Sequence, residues 1–242
     1  MVALMMSLKQ LSWIYCTCLV LATLAVVNAQ EALQPKPDKL QVLNENTKGN
    51  TTYPDPDPKT RKDLLRNSLR INPDQNTAYK RLSLSEGNRE ITYTDTDQPY
   101  PDHPDRFDYP QVLCNESVSG RSYWEVEWSG FGVLISVAYQ SISRKGGGPE
   151  CLFGGNDQSW SLFCAPDSYA FWHNTTQTDL PVKPLSSGDN RVGVYVDHSA
   201  GTLSFYSVSG DSMILIHSIQ TRFTQPLSPG FAVGPESSVK LC

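Results

Sequence analysis

The chain has 242 residues, 39% hydrophobic and 10% aromatic, which is enough apolar side chain for a real core and too much for a disordered polypeptide. A formal net charge of -5, with no basic stripe interleaved with aromatics, argues against a nucleic-acid surface, where Lys and Arg must neutralise phosphates. The length favours one domain with a tail over two small domains.

The first residues stand apart from the rest. Behind Lys9, the run from Leu11 to Val27 is apolar apart from Ser12, Cys16, Thr17, Cys18 and Thr23, and Val27-Asn28-Ala29 puts compact residues at the -3 and -1 positions of a cleavage site. This pattern predicts a signal peptide over 1–29 and a secreted product. The apolar run falls just short of a spanning helix, so an uncleaved signal anchor is the second reading. A cytoplasmic chain whose leader does not function is the third. Cleavage would leave Cys114, Cys151, Cys164 and Cys242. Their wide spacing leaves two readings open: buried free thiols, or two disulfides in an oxidising compartment. In a secreted chain, the triplets beginning at Asn50, Asn115 and Asn174 are candidate N-glycosylation acceptors.

Residues 30–59 are rich in Pro, Asp, Asn, Thr and Lys, with Pro54-Asp55-Pro56-Asp57-Pro58 at their centre of character. Such a segment cannot build a core and reads as a disordered, solvated linker. Thr60 to Ile71 places Leu64, Leu65, Leu69 and Ile71 at roughly helical spacing behind a capping Thr. The spacing predicts one short amphipathic helix, ended by Asn72-Pro73 because the residue before Pro is pushed out of the α region.

Beyond Pro73 the pattern changes to short β-branched and aromatic runs separated by Gly, Pro, Asn, Asp and Ser. Strands are predicted at Arg81 to Ser85, Glu90 to Thr94, Gln111 to Asn115, Ser122 to Trp128, Val133 to Gln140, Ser159 to Cys164, Ser168 to His173, Arg191 to Asp197, Thr202 to Val208, Met213 to Ile219, Gly230 to Val233 and Ser238 to Leu241. Many short strands without intervening helices define an all-β sandwich or barrel. In Tyr123 to Trp128, Trp124, Val126 and Trp128 share one face while Glu125 and Glu127 share the other, as in a half-buried antiparallel strand. Val194 to Tyr206 reads as a β-hairpin around Gly201.

Catalytic templates fail along the chain. Asp197-His198-Ser199 holds the residue types of a hydrolase triad, but neighbours in a hairpin loop cannot form the relay. Gly130-Phe131-Gly132 lacks the third glycine and following helix of a phosphate cradle. The histidines and cysteines show no metal-ligand spacing, and Asp95, Asp97, Asp102 and Asp105 lie in a Pro-rich loop. These failures predict no catalytic residue, no metal and no cofactor.

Four segments, taken in order, resemble the PRY-SPRY family. Ile71-Asn72-Pro73 with Arg81 to Arg89 is similar to the PRY motif. Gly120-Arg121-Ser122-Tyr123-Trp124-Glu125-Val126-Glu127 matches the SPRY opening, Arg191 to Tyr206 its late hairpin, and Phe223 to Phe231 its ending. Two framework positions depart from the common pattern: Ile71-Asn72-Pro73 stands for Leu-Asp-Pro, and Val196-Asp197-His198 for Leu-Asp-Tyr. The wording is closest to the versions in fish tripartite-motif proteins, fish NOD-like receptors and stonustoxin-type toxins. The resemblance implies a concanavalin-like jelly-roll of two antiparallel sheets behind a short N-terminal helix, with PRY over about 60–110 and SPRY over about 111–242.

It also implies a non-catalytic module that binds a protein or peptide ligand through loops at one end of the sandwich, in a setting such as innate immunity. It implies no nucleic acid, and no membrane unless the leader stays uncleaved. The alternative it raises is a subunit-like fragment of a secreted, membrane-active toxin. The matching loops are Thr92 to Arg106, Gln140 to Asp157 and Ala165 to Asn190. Candidate contacts are Gln140, Arg144, Lys145, Phe163, Tyr169, Phe171, Trp172 and His173, with Trp172 open to a second reading as a core anchor. In the antibody-binding tripartite-motif relative, contact aromatics align with Phe163 and Ala165 and a contact acid with Gln140, so the same ligand is not expected here. Glycines 146 to 148 suggest a mobile middle loop. On that reading, exchanging Gln140 to Asp157 for a Gly-Ser linker should leave the domain folded.

Overall fold

The computed structural model describes residues 60–184 and 190–242. The predicted leader, the linker and Asn50 lie outside the described residues. One helix, α1 (Arg61–Leu65), precedes thirteen strands: β1 (Leu82–Ser85), β2 (Glu90–Tyr93), β3 (Gln111–Leu113), β4 (Arg121–Ser129), β5 (Val133–Tyr139), β6 (Ser159–Ala165), β7 (Ser168–His173), β8 (Thr176–Leu180), β9 (Arg191–Asp197), β10 (Thr202–Ser209), β11 (Ser212–Gln220), β12 (Leu227–Val233) and β13 (Ser238–Leu241). They form a seven-stranded sheet, β1-β2-β13-β4-β9-β10-β11, and a six-stranded sheet, β3-β12-β5-β6-β7-β8. The strand pairs within both sheets are antiparallel. The all-β, two-sheet sandwich with a short N-terminal helix is therefore the fold.

Alternation explains the core. Trp124, Val126 and Trp128 of β4, Val192, Val194 and Val196 of β9, and Leu203 and Phe205 of β10 meet Val133, Ile135 and Val137 of β5, Trp160 and Leu162 of β6, and Phe231 of β12 between the sheets. β5 and β12 are buried along their whole length, because their outer faces are covered as well. The predicted hairpin is β9–β10, turned by Gly201 at φ +75°, where an added Cβ would strike the Thr221 carbonyl.

Three elements differ from expectation. The helix does not run to Ile71 but stops at Leu65, capped by Arg66. β13 pairs with β4 only from Val126 to Ser129, which leaves the start of β4 with a free edge. Asn67 to Leu69 takes that edge: the Tyr123 N–H donates to the Asn67 carbonyl (2.8 Å) and the Leu69 N–H to the Tyr123 carbonyl (2.7 Å). Sheet pairing thus overrides the helical spacing, and Ile71 joins the main core. β8 was not predicted, since Thr176-Gln177-Thr178-Asp179 carries no apolar alternation. β12 begins before Gly230 and runs through Pro229, which has no N–H to give but whose carbonyl accepts from the Cys114 N–H (2.8 Å).

All four cysteines of the described residues are free thiols, with Cys114, Cys151 and Cys164 buried and Cys242 exposed. Burial pushes the Cys114 and Cys164 thiols well above the ordinary thiol value, so neither is a nucleophile at neutral pH.

Candidate functional site

The six-stranded sheet has an outer face as well as a core face. On it lie Leu113 of β3, Leu134 and Ala138 of β5, Phe163 of β6, Ala170 and Trp172 of β7 and Ala232 of β12, packed with Phe107, Ile142 and Phe153 from loops. Phe153 is the keystone. It is wholly buried, meets Phe107 edge-on at 5.5 Å, and its ring sits over Gly230, where an added Cβ would approach to 2.7 Å.

The segment between β5 and β6 is consequently a plug rather than a mobile loop. The Gln140 amide donates to Ser228 Oγ (2.6 Å). Arg144 donates to the Gln140 and Ile142 carbonyls (3.0 and 3.1 Å) and lies 4.7 Å over the Phe107 ring. Asp108 accepts from Lys145 Nζ (3.3 Å) and the Gly146 N–H (3.1 Å). The Asn156 amide donates to three carbonyls, of Pro149, Glu150 and Leu152. Gly146 has φ +125°, a conformation that only glycine adopts readily, so this glycine shapes the plug. Burial pulls the Arg144 guanidinium below its ordinary value, though it stays charged.

The structure sorts the predicted contacts into separate places. Gln140, Arg144 and His173 gather at one end of the sandwich, whereas Lys145 reaches away from them to Asp108 in the loop before β3. Phe163 sits on the outer face opposite Leu134, whereas the Gln140 amide reaches Ser228 opposite Ala138. Four residues of β5 separate the two, about 13 Å along the strand. Phe163 is half-buried, and its ring lies over Gly132, where a Cβ would meet it at 2.9 Å. Tyr169 and Phe171 point into the main core, and Trp172 lies beneath Gly154 with 3% of its surface exposed. Those three are framework side chains in a strand, which is the core-anchor reading that the sequence left open for Trp172.

At the end shared by Gln140 and His173, a solvent-open cleft of about 530 Å³ is lined by Tyr139, Asp157, Trp160, His173, Arg222 and Thr224, among others. Its floor is aromatic. His173 stacks on Trp160 at 4.9 Å, and Tyr139 and Phe223 meet Trp160 edge-on at 5.3 and 5.2 Å. The Thr224 N–H donates to Tyr139 Oη (2.9 Å), which fixes the 221–226 segment as one wall. Beyond Arg222 lies a second opening of about 470 Å³, lined by His198 to Gly201 and Gln220 to Phe223. Sequence reasoning missed Tyr139, Trp160, Arg222 and Phe223 as site residues. Alternation places Trp160 on the core face, and only the packing of the 221–226 segment opens a cleft beside it.

Turn chemistry accounts for Asp197-His198-Ser199. Asp197 accepts from Arg121 Nε (2.7 Å) and the Ala200 N–H (2.9 Å), while His198 Nε2 contacts the Gln225 carbonyl (2.8 Å). Among the described residues no group of three His, Cys, Asp or Glu side chains is placed to hold a metal, and no helix is long and apolar enough to cross a membrane.

The two-sheet scaffold thus carries ordered loops and an aromatic cleft at one end. The chain belongs to the PRY-SPRY family: residues 74–118 match the SPRY-associated domain PRY and residues 121–242 match the SPRY domain. Mouse tripartite motif-containing protein 16 is 38% identical over 179 residues, covering 73% of this chain and 32% of that protein. The solved stonustoxin structure superposes with a TM-score of 0.70 at 36% identity, over 76% of this chain and 30% of that one. The TRIM65 PSpry domain superposes with a TM-score of 0.68 at 27% identity, over 78% of this chain and 99% of that domain. The chain spans only 23% to 32% of the length of the first curated relatives it matches. SPRY domains are in general non-catalytic protein-interaction modules.

Proposed function

We propose that this chain is a recognition module that binds a protein or peptide ligand at the end of the sandwich formed by the 140–157 plug, the β7–β8 turn and the 221–226 segment. The observation that carries this reading is the solvent-open cleft with its stacked aromatic floor and its rim of Ser141, Asp157, His173 and Arg222. An apolar floor with a polar rim is the anatomy of a peptide-binding site. Phe163 extends the proposed surface along the outer sheet face, and Gln140 and Arg144 support the rim rather than touch the ligand.

The test is a peptide selected from a displayed random library on the purified chain, titrated against a D157A/H173A/R222A variant. The reading expects at least about tenfold weaker binding, or about 1.4 kcal/mol, with the thermal midpoint kept. Undiminished binding by the folded variant overturns it.

Export through the 1–29 leader, with glycans on Asn115 or Asn174, and a role in innate immunity belong to the same proposal. Asn174 stands exposed in the turn between β7 and β8 with φ +49°. A C-terminally tagged chain should enter the medium as a glycosidase-sensitive product, and a full-length unglycosylated chain retained in the cytoplasm contradicts export. The stonustoxin match favours one second reading, a fragment of a membrane-active assembly. Leakage of liposomes by the purified chain would support it over recognition.

A further inference from the structure

Two openings at one end of the sandwich share a crest. The 221–226 segment runs between them, with the His173 cleft on one side and the opening at the β9–β10 turn on the other, and Thr221 and Arg222 line both. The turn holds the crest in place: the Thr221 N–H donates to the Gly201 carbonyl (2.8 Å), and His198 Nε2 to the Gln225 carbonyl (2.8 Å). Phe223 turns inward from the crest into the core. Its ring meets Trp160 edge-on at 5.2 Å and His198 at 5.5 Å, and Trp160 carries His173 at 4.9 Å. His173, Trp160, Phe223 and His198 therefore form one file of rings that passes beneath the crest from the first opening to the second. Such a file underlies about five residues of extended chain.

Charge is uneven along it. Arg222 stands exposed on the crest and Ser199 on the lip of the second opening. Among the described residues, neither the Arg222 guanidinium nor the Ser199 hydroxyl has a hydrogen-bond or ion-pair partner. The one acidic residue lining either opening is Asp157, in the first cleft. Asp197, at the end of β9 before the turn, is already engaged by Arg121 Nε (2.7 Å) and the Ala200 N–H (2.9 Å). The second opening thus offers a cation and a hydroxyl donor with no acid among its lining residues.

We infer that the opening at the β9–β10 turn is a second subsite of the same groove, and that it takes an acidic side chain. The ligand is an extended peptide segment that crosses the crest, with an Asp or Glu carboxylate at Arg222 and Ser199. This rests on the recognition reading above and narrows it. A guanidinium pairs a carboxylate through two parallel N–H donors, which gives direction as well as attraction. Asp157 disfavours a second carboxylate in the first cleft, so the charges set where along the groove the acid lies. The residues beside it then rest on the rings.

Three synthetic peptide libraries test this on the purified chain. They differ only in a fixed central Glu, Gln or Lys, carry uncharged residues elsewhere, and are amidated so that the central side chain supplies the carboxylate. The Glu library should yield the tightest binder, and its Gln counterpart should bind about threefold to tenfold more weakly. R222E should reverse the order and hold the Lys counterpart better than the Glu one, a reversal that misfolding cannot produce. A200W, which fills the second opening from an exposed position, should weaken the Glu peptide by about tenfold. Binders that H173A weakens but that ignore the central charge, R222E and A200W overturn the second subsite and leave the recognition reading standing. A preference of the wild type for Lys overturns it as well. No saturable binder from any library overturns both.

Discussion

The two sheets bury their outer faces by different means. Over the six-stranded sheet the cover is apolar: Phe107, Ile142 and Phe153 close on Leu113, Ala138 and Trp172. Over the seven-stranded sheet the cover is α1, and beside its Leu64, Tyr123 and Tyr195 cluster lies a buried carboxylate. Glu125 accepts from Arg61 Nε and Nη2 (2.6 and 2.9 Å), Tyr123 Oη (2.7 Å) and Arg191 Nη1 (3.3 Å). Burial pushes the Glu125 carboxyl up, but the Arg61 and Tyr123 hydrogen bonds and both arginine charges outweigh it and hold it below its ordinary value. The apolar cover derives its strength from packing and shapes the end proposed for recognition, while the ionic cover ties α1 to β4 and β9 and depends on protonation.

The widest gap between the faces should appear on truncation. F153A removes a wholly buried ring from the plug and is expected to cost about 3–5 kcal/mol in chemical denaturation. For the same reason, exchange of the whole 140–157 segment for a Gly-Ser linker bares an apolar sheet face and should unfold the domain rather than spare it. E125Q takes the shared carboxylate from between two arginines and leaves Arg191 on Glu127 (2.5 Å) and Arg61 on the more distant Asp211 (3.8 Å). Because Arg61 and Arg191 keep some access to water, the loss is about 2 kcal/mol, less than for a fully dry pair. G146A forces a Cβ into a φ +125° site against Glu150 and Cys151, and costs about 1–2 kcal/mol.

Acid separates the two covers most cleanly. Since the Glu125 carboxyl is depressed in the folded chain, its contribution is present above the ordinary carboxylate value near 4.5 and is lost as pH falls through the folded value. Thermal midpoints measured down this range should show a flatter acid limb for E125Q. F153A should lower the whole curve and leave that limb's slope alone. Equal slopes in all three proteins would mean that Glu125 is not the titrating group.

How far the sequence could be read follows from how local each cause is. Strands whose alternation is carried by large side chains, such as Trp124-Glu125-Val126-Glu127-Trp128, were legible in position and facing. β8 was not, because its pairing with β7 comes from a tight turn at Asn174 and not from its own side chains. Glu125 read as a solvent-facing residue, since nothing in β4 shows that Arg61, 64 residues away, will cover it. Gly146 to Gly148 suggested mobility, whereas Asp108, Tyr109 and Gln111, from the preceding loop and β3, hold that segment in place. His173 was legible only as a candidate, and the cleft beside it needs Tyr139, Trp160 and Phe223, which are distant in the chain and meet only in the fold.

The recognition end itself is tested most directly by an exchange footprint. Amide hydrogen exchange of the chain, with and without a saturating peptide selected against it, should show protection in residues 139–158 and 221–226 and at the β7–β8 turn, with the outer face of the seven-stranded sheet unchanged. Protection confined to α1, β9 and β10, with the plug and the 221–226 segment unaltered, would contradict the account.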